Sequence, residues 1–180
     1  LGSYYHLKGL TIQNATGWGI VLHGSNNIVE NCVSRNNHGT GIKIINTTAD
    51  MGGGVIQSFV PANNLIVNSD AIGNHSVGDG GNNADGISVA YTIGPGNILR
   101  GNRAWNNGDD GFDLWMASAP VLIENNYAFG NGVNRWAEPG LWRGNGDGFK
   151  LGGGGVNTAH IVRNNLAFDN GTPGATAGNG

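Results

Sequence analysis

Gly111-Phe112-Asp113-Leu114 returns one unit later as Gly148-Phe149-Lys150-Leu151. The same pattern, a glycine followed by apolar-x-apolar, stands at Gly19-Ile20-Val21-Leu22, Gly41-Ile42-Lys43-Ile44 and Gly86-Ile87-Ser88-Val89. Period-two alternation over so short a run marks a strand with one buried face. A second landmark alternates with the first: Ile28-Val29-Glu30-Asn31, Leu65-Ile66-Val67-Asn68, Ile98-Leu99-Arg100-Gly101, Leu122-Ile123-Glu124-Asn125 and Ile161-Val162-Arg163-Asn164. Behind it run a small-residue column (Ser34, Ala71, Ala104, Ala128, Ala167) and an asparagine column (Asn37, Asn74, Asn107, Asn131, Asn170). His6-Leu7-Lys8-Gly9 reads as an earlier partial copy.

The landmark glycines stand at 19, 41, 86, 111 and 148, so the shortest interval is the 22 residues from 19 to 41. Each longer interval still holds one copy of each landmark. The excess therefore reads as loops, placed near residues 47–62 and 133–143. A single coil cannot bury its own apolar face, but a stack of coils can. Stacking aligns Ile20, Ile42, Ile87, Phe112 and Phe149 in one inward column and Leu22, Ile44, Val89, Leu114 and Leu151 in the next. Asparagine tolerates the left-handed backbone of turns, and its amides can stack along the axis. The expected fold is all-β, a right-handed parallel β-helix of about five to six coils, forming one domain over residues 1–180. Neither the Leu-x-x-Leu-x-Leu repeat of leucine-rich solenoids nor the Gly-Gly-x-Gly-x-Asp tandem of calcium β-rolls recurs.

Composition agrees. The 34 glycines among 180 residues far exceed the roughly 7% of average usage. Asn-Asn pairs occur at 26–27, 36–37, 63–64, 82–83, 106–107, 125–126 and 164–165. An apolar fraction of 38% in regular recurrence separates this chain from a disordered Gly/Asn-rich one. The net charge of −3 supplies no basic surface for nucleic acid. Cys32 is the single cysteine, which excludes an internal disulfide framework and a multi-cysteine zinc site. No apolar run approaches the roughly 18 residues of a membrane span. No signal peptide is visible and the first residue is not Met, so the reading expects a processed or partial chain.

The charges are few, and they align. Asp113 lies between inward Phe112 and Leu114, so it points outward; Lys150 occupies the same column one coil on. That outward column reads Val21, Lys43, Ser88, Asp113, Lys150. The residues just before the landmark glycines form another, Thr40, Asp85, Asp110, Asp147, with Asp109 adjoining. Asp85, Asp109, Asp110 and Asp113 thus converge on one outer face within roughly two strand spacings. Carboxylates this close raise one another's pKa unless a cation neutralises them. Oxygen ligands without His or Cys favour a hard ion such as Ca²⁺. A single Asp-Gly is an ordinary turn former; four carboxylates converging in adjacent coils favour the metal. Beside a divalent cation the Lys150 ammonium is disfavoured, which suits a general base. Gly146, Gly148, Gly152, Gly153, Gly154 and Gly155 clear side chains from around it. The plainer reading of Lys150 is a surface ion pair. Lys43, in the same column, lacks the glycine clearing and an adjacent Asp and ranks below it.

Four segments together carry a family likeness: Asn83-Ala84-Asp85-Gly86, Thr92-Ile93-Gly94-x-Gly96-Asn97, Asn107-x-Asp109-Asp110-Gly111-x-Asp113-Leu114 and Gly148-Phe149-Lys150-Leu151-Gly152-Gly153. In these the chain resembles the pectate lyases of polysaccharide lyase family nine, continuously from about Asn68 to Asn170. The resemblance implies a right-handed parallel β-helix and a Ca²⁺ held by four aspartates, matching Asp85, Asp109, Asp110 and Asp113. It also implies a lysine as Brønsted base, matching Lys150, and β-elimination of polygalacturonate, an acidic polysaccharide, by a secreted protein. A cation near the uronates is needed as well, and Arg135 or Arg143 on the second insertion could supply it. Trp136 and Trp142 on that loop could stack on sugar rings or pack the loop. The chain departs from the family in its short length, in lacking an N-terminal cap over the first coil, and in Asp147, where the family tends to have Asn.

Other functions fit less well. A polygalacturonase shares the fold and paired aspartates, but its Gly-His-Gly and Arg-x-Lys segments are absent from this sequence. A mannuronan epimerase would want a Tyr/His pair beside an Asp, which these residues do not assemble. A non-catalytic carbohydrate-binding β-helix would keep the columns but has no need of Lys150.

Overall fold

The structure is a computed structural model and describes residues 2–171. Its repeating strands stack into three parallel sheets. The first holds His6–Lys8, Ile28–Glu30, Leu65–Val67, Asn97–Arg100, Val121–Glu124 and Ile161–Arg163. The second holds Thr11–Gln13, Val33–Arg35, Asp70–Ile72, Arg103–Trp105, Tyr127–Phe129 and Leu166–Phe168. The third holds Ile20–Leu22, Ile42–Ile45, Ile87–Ala90, Phe112–Asp113 and Phe149–Lys150. Each coil visits the three sheets in turn, which is a parallel β-helix. The landmarks fall in register: Ile42 pairs with Ile87, Ile87 with Phe112, and Phe112 with Phe149.

The core is the set of inward columns. Leu22, Ile44, Val89 and Leu114 are fully buried, as are Val29, Ile66, Leu99 and Ile123 from the first sheet. The Phe112 and Phe149 rings stack with centroids 4.7 Å apart. Leu151 departs from its expected column and is 44% exposed, because no described coil stacks beyond it. The landmark glycines are explained by crowding. A Cβ on Gly86 would lie 2.6 Å from the Ala104 Cβ and 2.7 Å from the carbonyl oxygen of Gly111.

The asparagine pairs divide their labour. In the pairs at the coil turns the first member takes the left-handed conformation, with φ of 54° at Asn36, 57° at Asn106 and 58° at Asn125; Asn82-Asn83, in a loop, is the exception, with φ of 63° at Asn83. The second points inward into a ladder. Asn74 Oδ1 accepts from both the backbone N–H and the Nδ2 of Asn37, at 3.1 and 2.8 Å. Asn74, Asn107 and Asn131 pass the pattern along to Asn170. Two further ladders, Asn27–Asn64–Asn97 and Asn102–Asn126–Asn165, stand at the other turns. Sequence reasoning identified only the first. Each bond contributes about 0.5–1.5 kcal/mol net, whereas an unmatched buried amide costs about 1–3.

Three insertions leave the coils. Thr47–Asp50 and Ile56–Phe59 form an antiparallel hairpin. A long loop separates Asn131 from Asp147, and another separates Asn74 from Asp85. Only three positions separate the equivalent Asn107 and Asp110. The loop after Asn74 was not foreseen, because its Gly78-Asp79-Gly80-Gly81-Asn82-Asn83 run has the composition of the ordinary turns.

Candidate functional site

The two loops beside the third sheet pack on each other. The Arg143 N–H donates to Gly80 O at 2.8 Å, the Trp142 ring covers Gly81, and Trp142 Nε1 donates to Gly132 O at 2.8 Å. Trp136 stacks on His75 at 4.2 Å and lies 6.0 Å from Trp142. Both tryptophans therefore serve loop packing. Asp109 ties the loops to the coil: its carboxylate accepts the N–H of Asn83 at 2.7 Å and that of Asn145 at 2.6 Å.

Loops and sheet enclose a cleft of about 330 Å³ lined by Lys43, Asp85, Asp109, Asp113, Trp115 and Lys150, among others. On its floor, one carboxylate oxygen each from Asp85, Asp110 and Asp113 lie within 4.8 Å of one another. All three residues are buried. Asp85 and Asp110 each sit one residue ahead of a landmark glycine, and Asp113 sits on the strand. Asp85 Oδ2 accepts from the Thr40 hydroxyl at 3.1 Å, while Asp85 Oδ1 is buried with no donor. Asp110 Oδ1 accepts the Asp147 N–H at 2.8 Å and Oδ2 accepts from Lys150 Nζ at 3.0 Å. Asp113 Oδ1 accepts the Trp115 N–H at 3.0 Å. Lys150 is the lateral neighbour of Asp113, and its ammonium also lies 5.2 Å from the centre of the Trp115 ring.

The electrostatics follow from burial. Desolvation, with Asp109 and Asp85 adding repulsion, pushes Asp110 up to about 8 against the pull of Lys150. Desolvation raises Asp113 to about 7, with Lys150 opposing and Asp110 and Asp109 adding to it. Burial, then Asp113 and Asp109, holds Asp85 well above the usual carboxylate range. Burial alone would lower the Lys150 ammonium, but Asp110 and Asp113 outweigh it and carry its pKa above the ordinary lysine value. Three buried acids that resist ionisation, one with an orphaned oxygen, make a site short of positive charge.

Of the residues singled out in sequence, Asp85, Asp109, Asp110, Asp113 and Lys150 come together. Asp109 stands apart from the close trio, since both its oxygens hold loop amides. Asp147 contributes its backbone N–H, and its carboxylate is not among the clustered oxygens. Arg135 and Arg143 do not line the cleft. Arg135 reaches Gly130 O at 3.3 Å, and Arg143 faces a separate hollow with Asp79 and Leu141. The backbone of Arg143 is held by the other loop through Gly80. The glycine clearing is also smaller than expected. Gly148 packs on Ala167, Gly146 on Gly171, Gly153 on the Trp115 ring and Gly154 on Met116, leaving Gly152 and Gly155 toward open space. Sequence reasoning missed Asn83, Asn145, Tyr91 and Trp115 on the cleft wall. Tyr91 carries a signal visible only in the backbone, a φ of 62°, rare for an aromatic residue and concentrated at functional sites.

Comparison with known proteins places this geometry. The model of the Pel9A-like, right handed beta helix region matches residues 1–180. Pectate lyase L of Dickeya dadantii (strain 3937) is 39% identical over 169 residues, covering 94% of this chain and 36% of that protein. Pectate lyase PEL9 of Emericella nidulans is 35% identical, covering 96% of this chain and 44% of that protein. The crystal structure of pectate lyase Pel9A superposes with a TM-score of 0.84 at 37% identity, covering 94% of this chain and 39% of that one. The chain therefore spans well under half the length of these relatives. Among the described residues no helix is long and apolar enough to cross a membrane. By sequence, coil architecture and the match along its whole length, the chain belongs to the Pel9A-like right-handed β-helix family.

Proposed function

We propose that this chain is the catalytic β-helix of a pectate lyase that cleaves polygalacturonate by β-elimination, with Lys150 as the base and a Ca²⁺ ion beside it. The observation that carries the reading is the buried trio Asp85, Asp110 and Asp113, clustered within 4.8 Å and joined to Lys150 through Asp110. The donor set fits a hard cation: every candidate atom is a carboxylate oxygen, and Asp85 Oδ1 has no other partner. Asp85, Asp110 and Asp113 would hold it, with Asp109 supporting from the adjoining turn. Bound there, Ca²⁺ supplies Lewis acidity toward a uronate carboxylate and makes the proton on the neighbouring C5 more acidic.

The chain's own residues do the rest. Lys150 Nζ takes the C5 proton, the C–H electron pair becomes the C4–C5 double bond, and the C4–O glycosidic bond breaks. The leaving oxygen then takes up a proton from solvent water, and the Lys150 ammonium returns its own to solvent. To act as base, Lys150 must first be released from Asp110, because the ion pair at 3.0 Å keeps it protonated. Engaging the Asp110 carboxylate elsewhere removes that hold. The Trp115 ring, on the cleft wall, lies 5.2 Å from the Lys150 ammonium and holds it at the cleft. Because the substrate is a polymer outside the cell, secretion belongs to this reading.

A glycoside hydrolase is disfavoured by distance. Inverting enzymes keep their carboxyl groups roughly 6.5–9.5 Å apart to admit a water, and retaining ones roughly 5–5.5 Å; these oxygens lie closer. The test is the mass of the products made by the chain from polygalacturonate with Ca²⁺ present. Elimination gives fragments one water lighter than hydrolysis gives, with an ultraviolet-absorbing double bond. Fragments of full hydrolytic mass would replace the lyase with a hydrolase, and an intact polymer that nonetheless binds would reduce the chain to a binding module.

A further inference from the structure

A second lysine stands in the same cleft. Lys43 is only 8% exposed and lines the cleft. Among the described residues its ammonium makes no ion pair and no hydrogen bond; its neighbour is the Trp18 ring, 4.9 Å away. Asp85 and Asp113 act on it through space without pairing with it, so its three N–H donors are open to an anionic ligand in the cleft. Lys43 is the lateral neighbour of Ser88, which in turn neighbours Asp113. Two strand steps, roughly 10 Å, thus separate Lys43 from Asp113 along this column, close to the length of two linked pyranose rings, while Asp85 stands one coil away. Between them, the Ser88 hydroxyl is buried and has no partner. The floor along this column therefore carries an unpaired cation and an unpaired hydroxyl in line with the trio.

We propose that Lys43 binds the carboxylate of a second uronate, two sugar units along the polymer from the one beside Asp85, Asp110 and Asp113, with Ser88 Oγ beneath the intervening ring. The inference rests on the lyase reading for what occupies the far end of the cleft. The polymer then runs parallel to the stacking axis, across the strands of the third sheet. A methyl ester at this unit presents no charge to the buried ammonium, so the cleft selects de-esterified stretches.

The test compares the unaltered chain, Lys43→Met and Lys43→Arg on galacturonate oligomers of increasing length. Methionine keeps an unbranched side chain of similar length and removes the ammonium, including its contact with the Trp18 ring. KM for the unaltered chain should fall about tenfold, the worth of one charge-assisted hydrogen bond, once the oligomer is long enough to reach Lys43. Lys43→Met should lose that gain with little change in kcat, and Lys43→Arg should recover most of it. An unchanged KM in Lys43→Met for the long oligomers would overturn the proposal, as would an equal loss at every length. If no unsaturated product forms even with the unaltered chain, the lyase reading alone falls. The comparison then passes to calorimetric binding of a long galacturonate oligomer, where about tenfold weaker binding by Lys43→Met upholds the subsite and equal binding rejects it.

Discussion

Lys150→Met lowers kcat on polygalacturonate by roughly 10²- to 10⁴-fold, the span expected when a positioned general base is removed. The side chain is half-buried and its bonds are local: one hydrogen bond to Asp110 and the contact with Trp115. Methionine keeps an unbranched side chain of similar length and removes the ammonium with its contacts to Asp110 and Trp115, and since these are local the fold and the three carboxylates persist. Ca²⁺ affinity should be kept or slightly raised, since the ammonium that competes for Asp110 is gone. This pairing of a lost kcat with a kept metal site is what separates a base from a structural lysine. Retention of the unaltered kcat by Lys150→Met, measured by the rise in ultraviolet absorbance, would remove Lys150 from the mechanism.

The second large effect is on stability. Asp110 titrates at about 8 and Asp113 at about 7, both above the ordinary carboxylate value of 3.8. A carboxylate raised in the folded state binds more protons there than in the unfolded state between those values. The metal-free chain therefore loses stability as pH rises from about 4 to 8. The elevated Lys150 adds to the fall in stability only above the ordinary lysine range, outside this window. A cation that binds the ionised trio cancels the loss and binds better as pH rises. At a Ca²⁺ concentration of about 100 times Kd the gain is roughly 2.7 kcal/mol, or about 5–10 °C in Tm for a chain of this size. We expect that shift at pH 8, a much smaller one at pH 5, and none at either pH in Asp113→Asn. Thermal melts in chelator and in Ca²⁺ read all three; an equal shift at both pH values would contradict the assigned trio.

Much of the fold was legible because a solenoid is nearly one-dimensional. The period fixes which residues stack, and period-two alternation fixes which face inward. The columns through Ile42, Ile87 and Phe112, and the neighbours Asp113 and Lys150, follow directly. The insertions obey no period: those near residues 47–62 and 133–143 show as excess length between landmarks, and the third did not. The loop after Asn74 hid inside turn-like composition, and it engages the Trp142 ring and the Arg143 backbone. Lys43 ranked low because it lacks an acidic neighbour in sequence. In the structure Asp85 and Asp113 act on its ammonium through space, but among the described residues it makes no ion pair or hydrogen bond. The glycines near Lys150 looked like a clearing for substrate; several instead admit Trp115, Met116 and the alanine column.

The central claim, a cation site built by consecutive coils beside a lysine base, is tested most directly by a crystal structure of the chain grown with Ca²⁺. The account predicts one ion with oxygens of Asp85, Asp110 and Asp113 at roughly 2.3–2.6 Å, and Lys150 Nζ released from Asp110. A structure at saturating Ca²⁺ with no ion among these carboxylates, and Lys150 still bonded to Asp110, would contradict it.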